Sequence, residues 1–409
     1  MQHLRDRSGA LEPTMDRENP RYISEIDSYI PALDGVRGWA IIMVLFVHAF
    51  GLYININTIP EHYFWMISCY GRLGVDFFFV LSGFLITGIL LKAKEKKNFF
   101  LNFYSRRTLR IFPIYYLVIT CIFFITPIFI DYFQGQLREI NPRIHLIYYA
   151  YLQNFLIPEG DALPQYLLGA MWSLAVEEHF YLVWPAIIYF CARRTIIKII
   201  CLLVPTAIIL RCYIIFFSTM NHDWAFSWTI CRMDVILIGC LLAIWLRSDK
   251  RALLDRWKYH LVLYSVVANI IIVILNQKLS YEGSWITRTW LASNTIGYTF
   301  HAIMFASFIN LILFLRKSTF YVKLFDNWLL RLFGKHSYCI YIIHAPVTAV
   351  IYSKFILNTQ SSYFYSASTV FLMVTFTSLL VSLIVWHLYE KHFLNLKNLF
   401  QYTCPVTRN

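Results

Sequence analysis

Four stretches of this 409-residue chain hold ionisable side chains within or at the rim of long apolar runs. Charge is costly there, so each such group marks either function or a paired contact. In the first stretch, LDGVRGWAIIMVLFVHAF, His48 follows Arg37 by eleven residues. Eleven helical steps of 100° make three turns plus about 20°, so both side chains project from one face, about 16 Å apart along the axis. Asp34 stands one turn before Arg37. Two readings of His48 are open: a histidine satisfied by helix packing, or a proton acceptor, for which imidazole is the best suited side chain near neutral pH.

The second stretch, RRTLRIFP, sets Arg107 and Arg110 three apart on one helical face, with Arg106 beside them. Arginine at the cytosolic rim of a span is ordinary anchoring. The alternative is that the guanidinium forks grip phosphate oxygens bidentately, which would suit a phosphorylated cosubstrate arriving from the cytosol.

The third stretch, MWSLAVEEHFYLVWP, spaces Ser173, Glu177 and Tyr181 at i, i+4 and i+8. An acid at a helix start complements the helix dipole; an inward Glu177 would instead orient a catalytic imidazole, as carboxylates do in acyl-transfer triads. Glu178 would then point about 100° away. The fourth stretch, GKHSYCIYIIHAPV, places His344 above the hydroxyls of Ser337, Tyr338 and Tyr341, as a packing histidine or a lining of an acceptor site. Asp76, in GVDFFFVLSGF, and Glu390 read as structural helix-end contacts, with Asp76 also a candidate for the acceptor site.

The elements that must position these groups are membrane helices. The chain is 58% apolar and 14% charged, against roughly 25% charged in a soluble domain, so lipid is the solvent for most of it. A span needs about 20 mostly apolar residues. Ten stretches qualify: 38–56, 73–91, 111–130, 172–191, 196–217, 233–246, 259–275, 290–315, 337–356 and 365–388. The fold class expected is therefore all-α and polytopic, with about ten transmembrane helices and both termini cytoplasmic. Of the 36 Lys and Arg, 28 fall in segments this topology puts in the cytosol and 7 in outer segments, while Arg211 lies within a span. That asymmetry fixes the orientation.

A polar cytosolic segment, 1–33, precedes the membrane domain, 34–390, and a cytosolic tail, 391–409, follows it. The first 33 residues carry ten Asp, Glu and Arg and lack an apolar signal core. The apolar stretch 145–157 is too short to span and reads as an interfacial or re-entrant piece. The outer loops 57–72, 131–171, 218–232 and 276–289 are rich in aromatics, among them Tyr63, Phe64, Trp65, Tyr132, Trp224, Trp228, Tyr281 and Trp285. These suit sugar stacking and an interfacial belt equally. The net charge of +13 is spread between apolar runs, without any nucleic-acid-binding motif, so no nucleic-acid partner is expected. Nine scattered cysteines without C-x-x-C spacing suggest neither a disulfide framework nor a metal site.

Together these motifs resemble the integral-membrane acyltransferase 3 family. The likeness is carried by LDGVRGWA with Arg37 and His48, GVDFFFVLSGFLITGILL, RRTLRIFP, WSLAVEEHFYLVWP, HSYCIYIIHAPV and YEKHF, in the family's order across nearly the whole membrane portion. The closing motif has His392 where the family usually has proline. The resemblance implies an enzyme of the plasma membrane, the inner membrane in a bacterium, with no tightly bound cofactor. It would take an acyl group, usually acetyl, from acyl-CoA and give it to a sugar hydroxyl of an envelope polysaccharide, lipopolysaccharide or lipid-linked glycan, or of a small secondary metabolite. It makes His48 the essential histidine, Arg37 its partner, Arg107 and Arg110 the donor-side pair, and Ser173 with Glu177 the S-x-x-x-E pair.

On that reading acyl-CoA docks at Arg106, Arg107 and Arg110, and His48 acts as general base, oriented by Glu177. An acylated His48 handing the group onward is the alternative course. Two rivals come from other classes. A proton-coupled sugar or anion carrier would also bury His, Glu and Arg, but the inverted halves it calls for are not visible in the sequence. A noncatalytic scaffold would use the polar groups only to join helices.

Overall fold

The computed structural model describes residues 29–51, 58–125, 142–155, 165–279, 292–315, 319–355 and 363–403. Most of segment 1–33, the tail beyond 403 and the aromatics Tyr132, Tyr281 and Trp285 lie outside them. The described residues form helices and no strand, as expected where backbone groups must be satisfied within each segment.

The long helices are α1 (Pro31–Phe46), α2 (Ile59–Cys69), α3 (Leu73–Ala93), α4 (Phe99–Thr120), the short α5 (Pro142–Tyr149), α6 (Trp172–Phe190), α7 (Arg193–Phe216), α8 (Thr229–Trp245), α9 (Lys258–Leu279), α10 (Tyr298–Phe314), α11 (Trp328–Phe355) and α12 (Tyr363–Val385). Among the described residues, eight helical stretches are long and apolar enough to cross a membrane. They correspond to the expected spans except 172–191 and 337–356. Those two are nonetheless long helices, α6 and α11. Their hydropathy is diluted by Glu177, Glu178 and His179 in one and by Arg331, Lys335, His336 and His344 in the other, the residues with most chemistry to offer.

Burial separates the helices into two groups. α1, α3, α8 and α10 are buried over most of their length, while α7, α9 and α12 turn most of their surface outward, with Leu202, Ile209, Ile270, Leu372 and Phe376 exposed. The inner helices pack at backbone distance, α1 mainly on α11 and α3 on α8. A Cβ added at Gly83 would collide with the Ile236 carbonyl, and one at Gly239 with the Val80 carbonyl. Two glycines therefore set the α3–α8 spacing, in the manner of small-residue contacts between membrane helices.

Two ion pairs on α8 tie the bundle together. Arg232 pairs with Asp76 of α3, with His301 of α10 standing 3.5 Å from the other Asp76 oxygen. Asp234, two residues on, receives both terminal nitrogens of Arg211 from α7 at 2.8 and 2.9 Å and the hydroxyl of Thr299 from α10. All four charged side chains are buried, so each charge depends on its partner.

Two expectations are revised. Arg232, assigned to the outer loop 218–232, lies inside α8, because that helix begins at Thr229 and buries Thr229, Cys231 and Arg232 in its first turn. Asp76 keeps its place as a structural contact in the first turn of α3, and it links three helices through Arg232 and His301. Within segment 57–72, read as a loop, the described residues form the helix α2 followed by the turn Tyr70–Arg72. Its start is fixed by a capping box in which Thr58 and Glu61 each satisfy the other's backbone amide. In stretch 145–157, α5 and the turn Gln153–Phe155 are both too short to span.

Candidate active site

α1, α3, α4, α6 and α11 enclose a cavity of about 830 Å³, counting its open mouth. Into it face Arg37 from α1, Ser82 from α3, Arg107 and Arg110 from α4, Ser173, Glu177, Glu178 and Tyr181 from α6, and Ser337, Tyr338 and Tyr341 from α11. Its apolar wall includes Phe78, Phe79, Ile86 and Leu174. All four of the stretches singled out in the sequence thus contribute to one space, with Ser82 added from α3.

The R-x-x-R spacing works as the helical period requires, placing Arg107 and Arg110 on the inward face of α4. The Arg107 guanidinium lies 5.6 Å from the Tyr181 ring centre and 5.9 Å from that of Phe103. Arg106, beside them, is committed elsewhere: it donates to the carbonyls of Lys397 and Phe400 at 3.3 and 3.1 Å. With Asn102, which donates to the Gln401 carbonyl at 3.0 Å, it holds the chain after the last long helix against α4. One arginine of the triplet is structural and two line the cavity.

Glu177 is held by two donors, the Ser82 hydroxyl at 2.8 Å and the Tyr181 hydroxyl at 2.9 Å. Because α6 starts at Trp172, neither Glu177 nor Glu178 lies in its first turn, where a helix-dipole role would put them. Glu178, expected to turn away, lines the cavity as well, because the wall is wide enough to take two successive positions of α6. Ser173 and Tyr341 share a hydrogen bond of 2.6 Å, and Tyr341 also donates to the Ala170 carbonyl at 2.9 Å.

Arg37 is steadied by Asp34 at 3.1 Å, and Asp34 accepts from the Tyr29 hydroxyl at 2.6 Å. That bond, with partial burial, holds the Tyr29 phenol above its ordinary pKa. His48 does not line the cavity with Arg37. It stands about three turns along the stretch from Arg37, where the helix widens into a π-turn over Val47–Gly51. The His48 ring instead meets that of His344 edge to face, with centroids 4.5 Å apart. His344 is fully buried, and its ring centre stands 5.5 Å from that of Tyr341. His48 is therefore joined to the cavity through His344 and Tyr341. Sequence reasoning missed Ser82, six residues after Asp76 on α3, and Arg211 and Asp234 as a pair.

Such a fold and site define a multi-pass helical membrane protein whose central helices enclose a charged, hydroxyl-lined cavity. The chain belongs to the acyltransferase 3 family: the family model, described as an acyltransferase domain, matches residues 30–387. Among curated proteins it is similar to the O-acetyltransferase OatA of Staphylococcus aureus strain NCTC 8325 / PS 47, at 27% identity over 348 residues, covering 82% of this chain and 53% of that protein. A putative O-acetyltransferase of S. aureus strain COL is 26% identical over 351 residues, covering 82% of this chain and 54% of its own. The chain thus spans about half the length of the curated relatives it matches. No solved structure matches it.

Proposed function

We propose that this chain is a membrane O-acetyltransferase that takes acetyl from acetyl-CoA on the cytosolic side and passes it to a sugar hydroxyl of an envelope glycan. The observation that carries this reading is the cavity itself. Arg107 and Arg110 face it without a carboxylate partner of their own among the described ion pairs, beside the hydroxyls of Ser82, Ser173, Tyr181 and Tyr341. Guanidinium groups left for a ligand suit phosphate oxygens, and the apolar wall suits a pantetheine arm. The two relatives named O-acetyltransferases support the acyl group.

On this reading the chain crosses the plasma membrane ten times, with α6 and α11 as the two polar spans inside the apolar ones and both termini in the cytosol. The 28-to-7 distribution of basic residues supports that orientation. The phosphates of the donor meet Arg107 and Arg110, and the thioester lies toward Ser173 and Tyr341. His48 takes the acceptor hydroxyl's proton as the new C–O bond forms, the C–S bond breaks, and the proton passes to the departing sulfur. Glu177 orders the donor cavity through Ser82 and Tyr181, since both its oxygens are already engaged there.

Membrane vesicles bearing the chain, supplied with radiolabelled acetyl-CoA, test this directly. The expected result is base-labile acetate on the glycan fraction with wild type and none with His48→Ala at matched protein level. Equal labelling in vesicles with and without the chain would overturn it.

A further inference from the structure

His344 is a fully buried ionisable side chain to which the mechanism above gives no task. Its Nδ1 is bonded to the Tyr341 carbonyl at 2.6 Å, and His48 Nδ1 to the Val44 carbonyl at 2.8 Å. A carbonyl only accepts, so each Nδ1 carries the hydrogen and each Nε2 presents a lone pair. In His344 that Nε2 is buried with no hydrogen-bond partner among the described residues. Burying an unused acceptor is costly, and the ring of His48 packs edge to face on that of His344, centroid to centroid at 4.5 Å.

We propose that His344 is a positioning residue for the transfer, the partner imidazole of His48. The proposal rests on the reading of His48 as the base. When His48 takes the hydroxyl proton on Nε2 it becomes an imidazolium whose Nδ1–H stays on the Val44 carbonyl, and the neutral His344 ring lies against the edge of that cation. His344 holds and stabilises that cation while the C–O bond forms and the C–S bond breaks. His48 then returns the proton to the departing sulfur, so both rings end neutral and no further reactant is consumed. On the His344 side, Tyr341, one turn before it, is bonded to Ser173 on α6, and Thr348, one turn after, donates to the His344 carbonyl at 2.7 Å. The Val44 carbonyl holds His48 Nδ1–H where a triad has a carboxylate, and His344 adds a neutral ring beside the cation, which avoids burying a second permanent charge.

Two isosteres separate this role from simple packing. His344→Asn keeps a donor where Nδ1 bonds the Tyr341 carbonyl and removes the acceptor facing His48. His344→Gln reaches the Nε2 position with a carbonyl oxygen and gives up the Nδ1 anchor. With radiolabelled acetyl-CoA as the varied substrate in vesicles, His344→Asn is expected to lower kcat by about 100-fold with KM unchanged and protein level intact. His344→Gln is expected to stay within about 10-fold of wild type. Asn matching wild type, or Gln being the more impaired of the two, overturns the proposal, because a packing histidine depends on its Nδ1 anchor. Should Asn not accumulate, Gln alone decides: retained turnover supports the pair, and a loss beyond about 100-fold overturns it. A wild-type chain that transfers no acetyl overturns both this proposal and the function it rests on, whereas an active wild type with an unimpaired Asn variant overturns the pairing alone.

Discussion

Arg37 and His48 belong to one continuous helical stretch and serve different spaces. Arg37 opens on the cavity with Arg107 and Arg110, while His48, beyond the start of the π-turn, packs on His344. Under the proposed function, donor binding and proton transfer are divided along this single helix. His48→Ala is therefore expected to lower kcat by about 10²–10⁴-fold with little change in KM for acetyl-CoA. Arg37→Ala is expected to raise KM as well. Initial rates in vesicles over a range of donor concentrations separate the two, and a His48→Ala variant with wild-type turnover would remove this residue from the mechanism.

Arg107 and Arg110 face open space, whereas Arg106 is bonded to two backbone carbonyls. Lysine retains the charge but not the bidentate fork. Arg107→Lys and Arg110→Lys should each raise KM for acetyl-CoA by about tenfold, equivalent to about 1.4 kcal/mol of binding, at unchanged thermal stability. Arg106→Lys should leave KM alone and expose the chain around Lys397–Gln401 to limited proteolysis. If Arg106→Lys raises KM as much as the other two, the division of labour within the triplet is wrong.

Glu177 has two donors of its own, Ser82 and Tyr181. Glu177→Gln keeps the shape but removes the charge, and one of these hydroxyls must turn from donating to accepting from the amide nitrogen, which weakens a buried network by about 1–3 kcal/mol. The expected outcome is a fall in kcat/KM that Tyr181→Phe reproduces, and a double variant no worse than either single one. Additive losses from the two substitutions would show that Glu177 and Tyr181 act separately.

Much of the scaffold was legible in the sequence because lipid forces long apolar runs, and Arg107, Arg110 and Glu177 stood out because a charge in or beside such a run calls for a partner or a function. Pairings between distant segments were not. Asp76 and Arg232 are 156 residues apart, and a charge near a span's end looks the same in sequence whether it faces water or a buried partner. The α2 helix escaped because its signal is a capping box, Thr58 to Glu61, and not a span-length apolar run. The π-turn at Val47–Gly51 has no clear sequence mark, so the shared face of Arg37 and His48 was inferred from ideal helical geometry that ends one residue before His48.

The Arg211–Asp234 pair gives the sharpest stability prediction, since it lies away from the cavity and both side chains are fully buried. Arg211 also donates to the Thr295 carbonyl at 2.7 Å and to the Thr299 hydroxyl at 3.0 Å, so the pair joins α7, α8 and α10. Asp234→Asn leaves an uncompensated guanidinium among apolar helices and should destabilise the protein by about 3–5 kcal/mol. Replacing both partners by apolar residues of similar volume, Arg211→Met with Asp234→Leu, removes the stranded charge and should recover much of that loss. Thermal unfolding of purified protein in detergent reads both variants. The order expected is wild type and the double variant close together, with Asp234→Asn well below. A double variant as unstable as Asp234→Asn would mean that the bonds from Arg211 to α10, rather than the balance of charge, hold these three helices in register.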